Sequence, residues 1–210
     1  MLTSATKYDL SHLTQLSTQE VGGPIQDDEA LFLFALIRVM RIRRILEIGG
    51  YSGYSANNFC KAVGERGIVY TVDINPVQKM AANHVPIIMD ARQIEPEAID
   101  NTPLDLIFFD CHVYDVQMEM LRRLESQGMV TDRTVLALHD INLHPRQIVA
   151  WAYEIADGWV HQPVERRMVN DLRNMGYDAF PLDTHRDAHG PDLPCRHGLA
   201  VMRKFRPLTI

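Results

Sequence analysis

Five short apolar runs, each closing on an acidic residue or a glycine, constrain this chain more than any other feature. They are ILEI before Gly49 and Gly50, IVYTVDI carrying Asp73, VPIIM before Asp90, LDLIFFD ending at Asp110, and TVLALHD ending at His139 and Asp140. Nearly continuous, β-compatible apolar runs are what a strand buried on both faces of a parallel sheet requires. Helical patterns alternate with them: one capped by Asp27 and Asp28 and reaching about Met40, then Tyr54 to Val63, a helix from about Pro76, Tyr114 to Gln127, His144 to about Asp157, and Val164 to Met175. The rhythm predicts an α/β fold with a doubly wound, mainly parallel, seven-stranded sheet. The last two runs, YDAFPL and HGLAVMRK, are joined by a loop, which predicts an antiparallel edge strand. Neither internal repeats nor low-complexity tracts interrupt the pattern.

In open sheets of this kind ligands bind beyond the carboxyl ends of the strands, near the point where strand order reverses. Glu47 with Gly49, then Asp73, Asp90, Asp110, and His139 with Asp140 all fall there. Turns favour Asp and Gly for structural reasons too, so one such residue decides little, but five strands closing this way point to a site. The whole-chain properties narrow its partners. A net charge of -6 opposes binding along a nucleic-acid backbone, and the one basic cluster, Arg38, Arg41, Arg43 and Arg44, sits at a helix end where cations complement the dipole. The longest apolar stretch, Ala30 to Ile37, is too short to span a membrane, so no membrane role is expected. The start MLTSATKYDL lacks a secretory pattern, and Cys60, Cys111 and Cys195 form no CxxC pair, which together predict a cytoplasmic protein with reduced thiols. The 210 residues suit one domain, read as residues 28–210, behind an N-terminal segment, residues 1–27, that covers the site.

The stretch EIGGYSGYS, from Glu47 to Ser55, decides between cofactors. A dinucleotide fingerprint needs glycine where Ile48 stands, so the tight turn of a nicotinamide site is missing. What remains is a carboxylate, suited to a cationic amine, ahead of small residues that let backbone approach a ligand closely. Those demands describe the amino-acid end of S-adenosylmethionine. Asp73 can accept from ribose hydroxyls and Asp90 from an adenine amino group; both features belong equally to NAD, although no Tyr-x-x-x-Lys pair supports a dehydrogenase.

With these motifs in place, the sequence resembles the class I S-adenosylmethionine-dependent methyltransferases, within them the small-molecule O-methyltransferase group, in its caffeoyl-CoA-like and macrocin-type branch. LEIGGYSGYSA, VYTVDIN, MDA, LDLIFFDCH and the upstream GGPIQDDEALFLFALI carry the resemblance, together with the terminal GLAVMRK. It implies a Rossmann-like fold and methyl transfer to a hydroxyl of a small acceptor. It also implies a cofactor site of Glu47, Gly49, Gly50, Tyr51, Gly53, Ser55, Asp73, Ile74, Asp90, Ala91 and Asp110: Glu47, Gly49 and Ser55 for the methionine part, Asp73 for the ribose, and Asp90 with Ala91 for the adenine. A hydroxylase-branch relative with the same fold, or an NAD-dependent oxidoreductase, is the competing expectation.

Methyl transfer from a sulfonium depends mostly on alignment, and the acceptor hydroxyl must lose its proton to a base or beside a metal. The caffeoyl-CoA-like enzymes hold a divalent cation with a fourth-strand Asp and a fifth-strand Asp-Asn pair. Asp110 and Asp140 match the carboxylates, but Ile141 stands at the Asn position, so Asn142, His139 or His112 would have to supply the third ligand. The expected catalytic set is Asp110, His139 and Asp140, which is also the expected metal set, for Mg²⁺ or a transition metal. His139 is the leading candidate base, with His112 and His144 in reserve. The C-terminal run with His185, His189, Cys195 and His197 matches no zinc spacing and reads as a substrate-facing or subunit-contact loop, compatible with a homodimer.

Overall fold

The computed structural model describes residues 25, 27–143, 152–155, 158–161, 163–182 and 196–205. Helix α1 spans Asp27–Met40, and strand β1, Arg44–Ile48, runs into the glycine turn that starts α2, Tyr54–Val63. Strands β2, Ile68–Asp73, and β3, His84–Ile88, follow, then β4, Leu106–Phe109, α3, Tyr114–Ser126, and β5, Val135–Leu143. After a hairpin of β6, Ala152–Ile155, and β7, Gly158–His161, come α4, Val164–Asn174, β8, Tyr177–Leu182, and β9, Arg196–Lys204. The main sheet has seven strands in the order β3-β2-β1-β4-β5-β9-β8. The first five are parallel, and β9 is antiparallel to both neighbours, which makes the edge antiparallel as the sequence predicted. Strand order reverses between β1 and β4, and the site lies there.

Strand parity assigns each side chain to a layer, because successive residues point to opposite faces of a sheet. Leu106 and Phe108 of β4, and Val135 and Ala137 of β5, join Leu33, Ile37 and Phe59 in a core under α1 and α2. Ile107, Phe109, Leu136 and Leu138 join Leu121, Leu124, Met168 and Leu172 under α3 and α4. The rule extends to the polar positions. Glu47 shares the parity of Ile45 and faces α2, while His139 shares that of Ala137 and faces α1. A bulge between His139 and Asn142 then breaks the register of β5 with β9. It returns Ile141 to the α3/α4 core, fully buried, and leaves Asp140 at the sheet edge with φ 58°. Bulges beside active sites commonly re-aim a side chain in this way.

Two expected helices differ from the structure over the residues it describes. Residues after Pro76 form an irregular crossover, because Val77 buries its side chain under the glycine loop and the Met80 N–H donates to Nδ1 of His84 at 3.0 Å. The segment read as a helix from His144 to Asp157 holds β6, which pairs with β7 in register from Ala152 opposite His161 to Ile155 opposite Gly158. Aromatic and β-branched residues in AYEI and GWVH, two positions apart, favour a hairpin there. Residues 144–151, with His144, and residues 183–195, with His185, His189 and Cys195, lie outside the described residues, as do 1–24. Cys60 and Cys111 are free thiols. No helix among the described residues is long and apolar enough to cross a membrane.

Candidate active site

A cavity of about 610 Å³ opens at the carboxyl ends of β1, β2 and β4. Gly49, Tyr51, Asp73, Ile74, Asp90, Ala91 and Asp110 line it, with Met89, Cys111, His112, Val113 and Val116 supplying apolar and further polar wall. Glycine is required at position 49: its φ is +90°, and a Cβ there would lie 2.7 Å from the backbone oxygen of Asp110. The floor of the cavity is therefore bare backbone where the two halves of the sheet diverge.

Asp73 organises this floor. Its Oδ2 accepts from the N–H groups of Gly50 at 2.9 Å and Tyr51 at 3.2 Å, and its Oδ1 accepts from Asn75 at 2.8 Å. A carboxylate offers about four acceptor positions, so Oδ1 retains capacity for one more donor from the cavity. Asp90 caps the short turn Ala91–Gln93 and is paired with Arg92 at 2.6 Å, whose side-chain hydrogen bonds hold the carboxyl below its usual range. Burial pushes the Cys111 thiol up to about 12, which disfavours its thiolate.

Glu47, Gly50, Gly53 and Ser55 stand behind the lining. Ser55 donates to Oε1 of Glu47, and Thr71 donates to Oε2 at 2.6 Å. His84, buried below, has its Nε2 2.8 Å from the same threonine hydroxyl. Since the Met80 amide occupies Nδ1, His84 is the Nε2–H tautomer and donates to Thr71. Burial raises the Glu47 carboxyl to about 7, although both hydroxyl donors oppose the rise. Strand parity thus turns Glu47 toward α2, where Ser55 and Thr71 hold its carboxyl.

Beyond Asp110 the site changes character. His139 is fully buried with Nδ1 3.0 Å from Oδ1 of Asp110 and Nε2 3.0 Å from Oε2 of Glu29, and Glu29 also accepts from the Gly198 N–H at 2.9 Å. Burial alone would push the imidazole pKa down, but the carboxylates of Asp140, Asp110 and Glu29 outweigh it and hold the ring charged, well above its ordinary range. Both ring nitrogens of His139, the leading candidate base, face carboxylates, and the ring stands behind the cavity lining. Burial likewise raises the Asp110 carboxyl, against the pull of His139. Asp110, His139 and Asp140 do converge, with one ligand-type atom of each within 4.8 Å of the others. Asn142 is turned to Arg166, which donates to its Oδ1, and Ile141 is core.

His112 does reach the cavity. Its Nδ1 is 2.9 Å from Oε1 of Glu165, and its Nε2 lies 3.4 Å from Oδ1 of Asp110 and 3.8 Å from Oδ2 of Asp140. His112, Asp140 and Tyr51 all have positive φ, at 57°, 58° and 37°, and such strained backbone concentrates at functional sites.

Residues 3–112 match the sequence profile of the O-methyltransferase family. The chain belongs to that family. The resemblance to class I S-adenosylmethionine-dependent methyltransferases drawn from the motifs is borne out, and so is the Rossmann-like α/β fold. An O-methyltransferase from Bacillus cereus solved with SAH is 16% identical, with a TM-score of 0.61 over 97% of this chain and 94% of that one. The SAH-bound methyltransferase PaMTH1 of Podospora anserina, also 16% identical, gives 0.60 over 94% and 87%. The O-methyltransferase TomG of Streptomyces achromogenes, solved with SAM, gives 0.55 at 16% identity over 97% and 92%.

Three polar residues of this O-methyltransferase escaped the sequence reading: Glu29, Gln117 and Glu165. Each is fully buried near the start of a helix whose apolar stripe continues three to four residues on, through Leu33 and Ile37, Met120 and Leu124, and Met168 and Leu172. A polar side chain in phase with a buried stripe was the available signal.

Proposed function

We propose that this O-methyltransferase transfers the methyl group of S-adenosylmethionine to a hydroxyl of a small molecule in the cavity at the β1/β4 divergence. The observation that carries the reading is a cavity of about 610 Å³ that joins backbone at Gly49, an acceptor at Asp73 and an apolar wall of Ile74, Met89, Ala91 and Val116 to the carboxylate of Asp110. Those groups match, in turn, an amino-acid end, a ribose, an adenine and a reacting centre. Ligand sites of this volume and mixed lining are typical for molecules of that size. Glu47, Gly50, Gly53 and Ser55 support the loop from behind. The bound cofactor would supply an electrophilic methyl on a sulfonium, and the protein's task is alignment and proton removal.

A divalent cation fits the far end. Glu29, Asp110, Asp140 and Glu165 place four buried or part-buried carboxylates around the two imidazoles of His112 and His139, an excess of negative charge that like-charge repulsion opposes unless a cation or protons intervene. Asp110 and Asp140 would hold such a cation, which would lower the pKa of an acceptor hydroxyl. Asp110 borders the cofactor cavity on one side and meets the acid-imidazole cluster on the other, so it would also fix the distance between methyl donor and acceptor. By the same reading residues 28–210 form one methyltransferase domain, in which α1 begins beside the reacting end with Glu29 on His139. The enzyme would work in the cytoplasm on a small acceptor, its charge of -6 being unsuited to nucleic acid. Calorimetric titration with S-adenosylhomocysteine and with NAD tests the assignment: binding of the former alone is expected, and binding of NAD alone would replace it with an oxidoreductase.

A further inference from the structure

The metal-holding residues named so far are two carboxylates, and two carboxylates make an incomplete site. Ile141, at the position where a third ligand is expected, is fully buried in the core, and Asn142 accepts from Arg166. His139 comes near enough to Asp110 and Asp140, but its ring is clamped at both nitrogens between Asp110 and Glu29 at 3.0 Å each. Turning its Nδ1 to an ion would break the contact that places Asp110, and would leave Glu29 buried with the Gly198 amide alone of these two partners.

His112 is placed differently. It sits on the cavity wall, with Nε2 3.4 Å from Asp110 and 3.8 Å from Asp140. Ligand atoms bonded at about 2.1 Å to one ion are about 3 to 3.5 Å apart, and the two separations from His112 lie near that range. On its other side Nδ1 meets Oε1 of Glu165 at 2.9 Å, and Nε2 of Gln117 donates to that same oxygen at 3.0 Å. A carboxylate behind the distal ring nitrogen is how metal-bound histidines are commonly oriented and made more basic. Glu165 also shows what is otherwise unexplained. It is fully buried, and its Oε2 has no hydrogen-bond partner among the described residues. A buried carboxylate is costly unless it faces positive charge, and an imidazole polarised by an ion on its far side provides that charge.

We infer that His112 is the third protein ligand of a divalent cation held with Asp110 and Asp140, that Glu165 and Gln117 are its positioning residues, and that the site prefers a transition dication to Mg²⁺. One imidazole with two carboxylates is a harder match for Mg²⁺, which favours oxygen ligands and water, than for Mn²⁺ or Zn²⁺. The inference rests on the methyltransferase reading but is separable from it. The test uses the full chain, stripped with chelator and titrated calorimetrically with Mn²⁺, Zn²⁺ and Mg²⁺, alongside pulsed electron paramagnetic resonance of the Mn²⁺ form. The expected parent result is tighter binding of Mn²⁺ and Zn²⁺ than of Mg²⁺, with nitrogen coupling from one coordinated imidazole. His112→Ala should remove that coupling. Glu165→Gln keeps the shape of the side chain and should weaken Mn²⁺ binding roughly tenfold to a hundredfold while the coupling persists. S-adenosylhomocysteine titration of each metal-free variant reports on folding and on the cofactor site: retained binding with no metal affinity in the parent overturns this inference alone, whereas failure of the parent to bind S-adenosylhomocysteine defeats the functional reading. Nitrogen coupling that survives His112→Ala, or disappears in His139→Gln while binding and fold persist, would give the ligand role to His139 and overturn the proposal.

Discussion

The two halves of the sheet's carboxyl edge are built by different rules. The half proposed to hold the cofactor is assembled from neighbouring segments, with Asp73 anchoring the loop amides of Gly50 and Tyr51 from 23 and 22 residues away. The half proposed to carry the reaction is assembled from distant ones: His112 meets Glu165 across 53 residues, His139 meets Glu29 across 110, and Glu29 meets Gly198 across 169. The first half is shaped by backbone and needs few specific side chains. The second is a cluster of buried charges that holds only while its members balance one another.

That contrast breaks most visibly at Asp110, the residue both halves share. Asp110→Ala should lower kcat by on the order of a thousandfold, because it removes a carboxylate at the reacting centre and the partner of His139. Single-turnover assays measure this, and a loss of tenfold or less would mean that the acid-imidazole cluster is scaffolding. Glu29→Ala probes the same cluster from the helix side. It leaves a buried imidazolium with one fewer counter-charge and should destabilise the fold by about 3 kcal/mol in urea unfolding. A change below about 1 kcal/mol would show that His139 is neutral and needs no such clamp.

Glu47 sharpens the comparison from the cofactor side through pH. Its carboxyl titrates at about 7 in the fold against 4.5 ordinarily, so between those values the folded state holds a proton that the unfolded state has lost. Stability from this group is therefore greatest below pH 4.5 and is lost as pH rises to 7, by roughly 3 kcal/mol in all. Glu47→Gln does not titrate, so its stability relative to the parent should increase by about that amount over this window. Parallel pH profiles for the two proteins would count against a buried, protonated Glu47.

Much of the fold was legible because it depends on one-dimensional patterns. Apolar runs, capping acids and punctuating glycines are local, and the turn from Ile48 to Gly53 could be assigned to a site before any contact was known. The crossover after Pro76 was misread because helix-compatible residues there are overruled by a tertiary partner, Val77 packing beneath Gly50, whereas Ala152–Ile155 was misread against its own strand-favouring residues, which pair with the following strand. Glu29 and Glu165 stayed hidden for a different reason. A charged residue opening an amphipathic helix reads as a dipole-complementing surface acid, and only the strand arriving from another part of the chain reveals that it is buried. His139 stood out for the same residue type that His112 carries, yet strand parity, which turns one ring into the α1 layer, decides which of them reaches the cavity.

The smallest effect in this series separates the halves most cleanly. Asp73→Ala should weaken S-adenosylhomocysteine binding roughly tenfold to a hundredfold, through loss of a charged acceptor and of the loop amides it anchors. Asp140→Asn, which lies outside the cavity lining, should bind S-adenosylhomocysteine within about threefold of the parent while losing methyl transfer. Calorimetric titration of the parent and these two variants in chelated buffer is the direct test of an edge divided into a cofactor half and a reacting half. The division predicts that affinity falls in Asp73→Ala and holds in Asp140→Asn; equal losses in the two variants would contradict it and make the edge a single interdependent site.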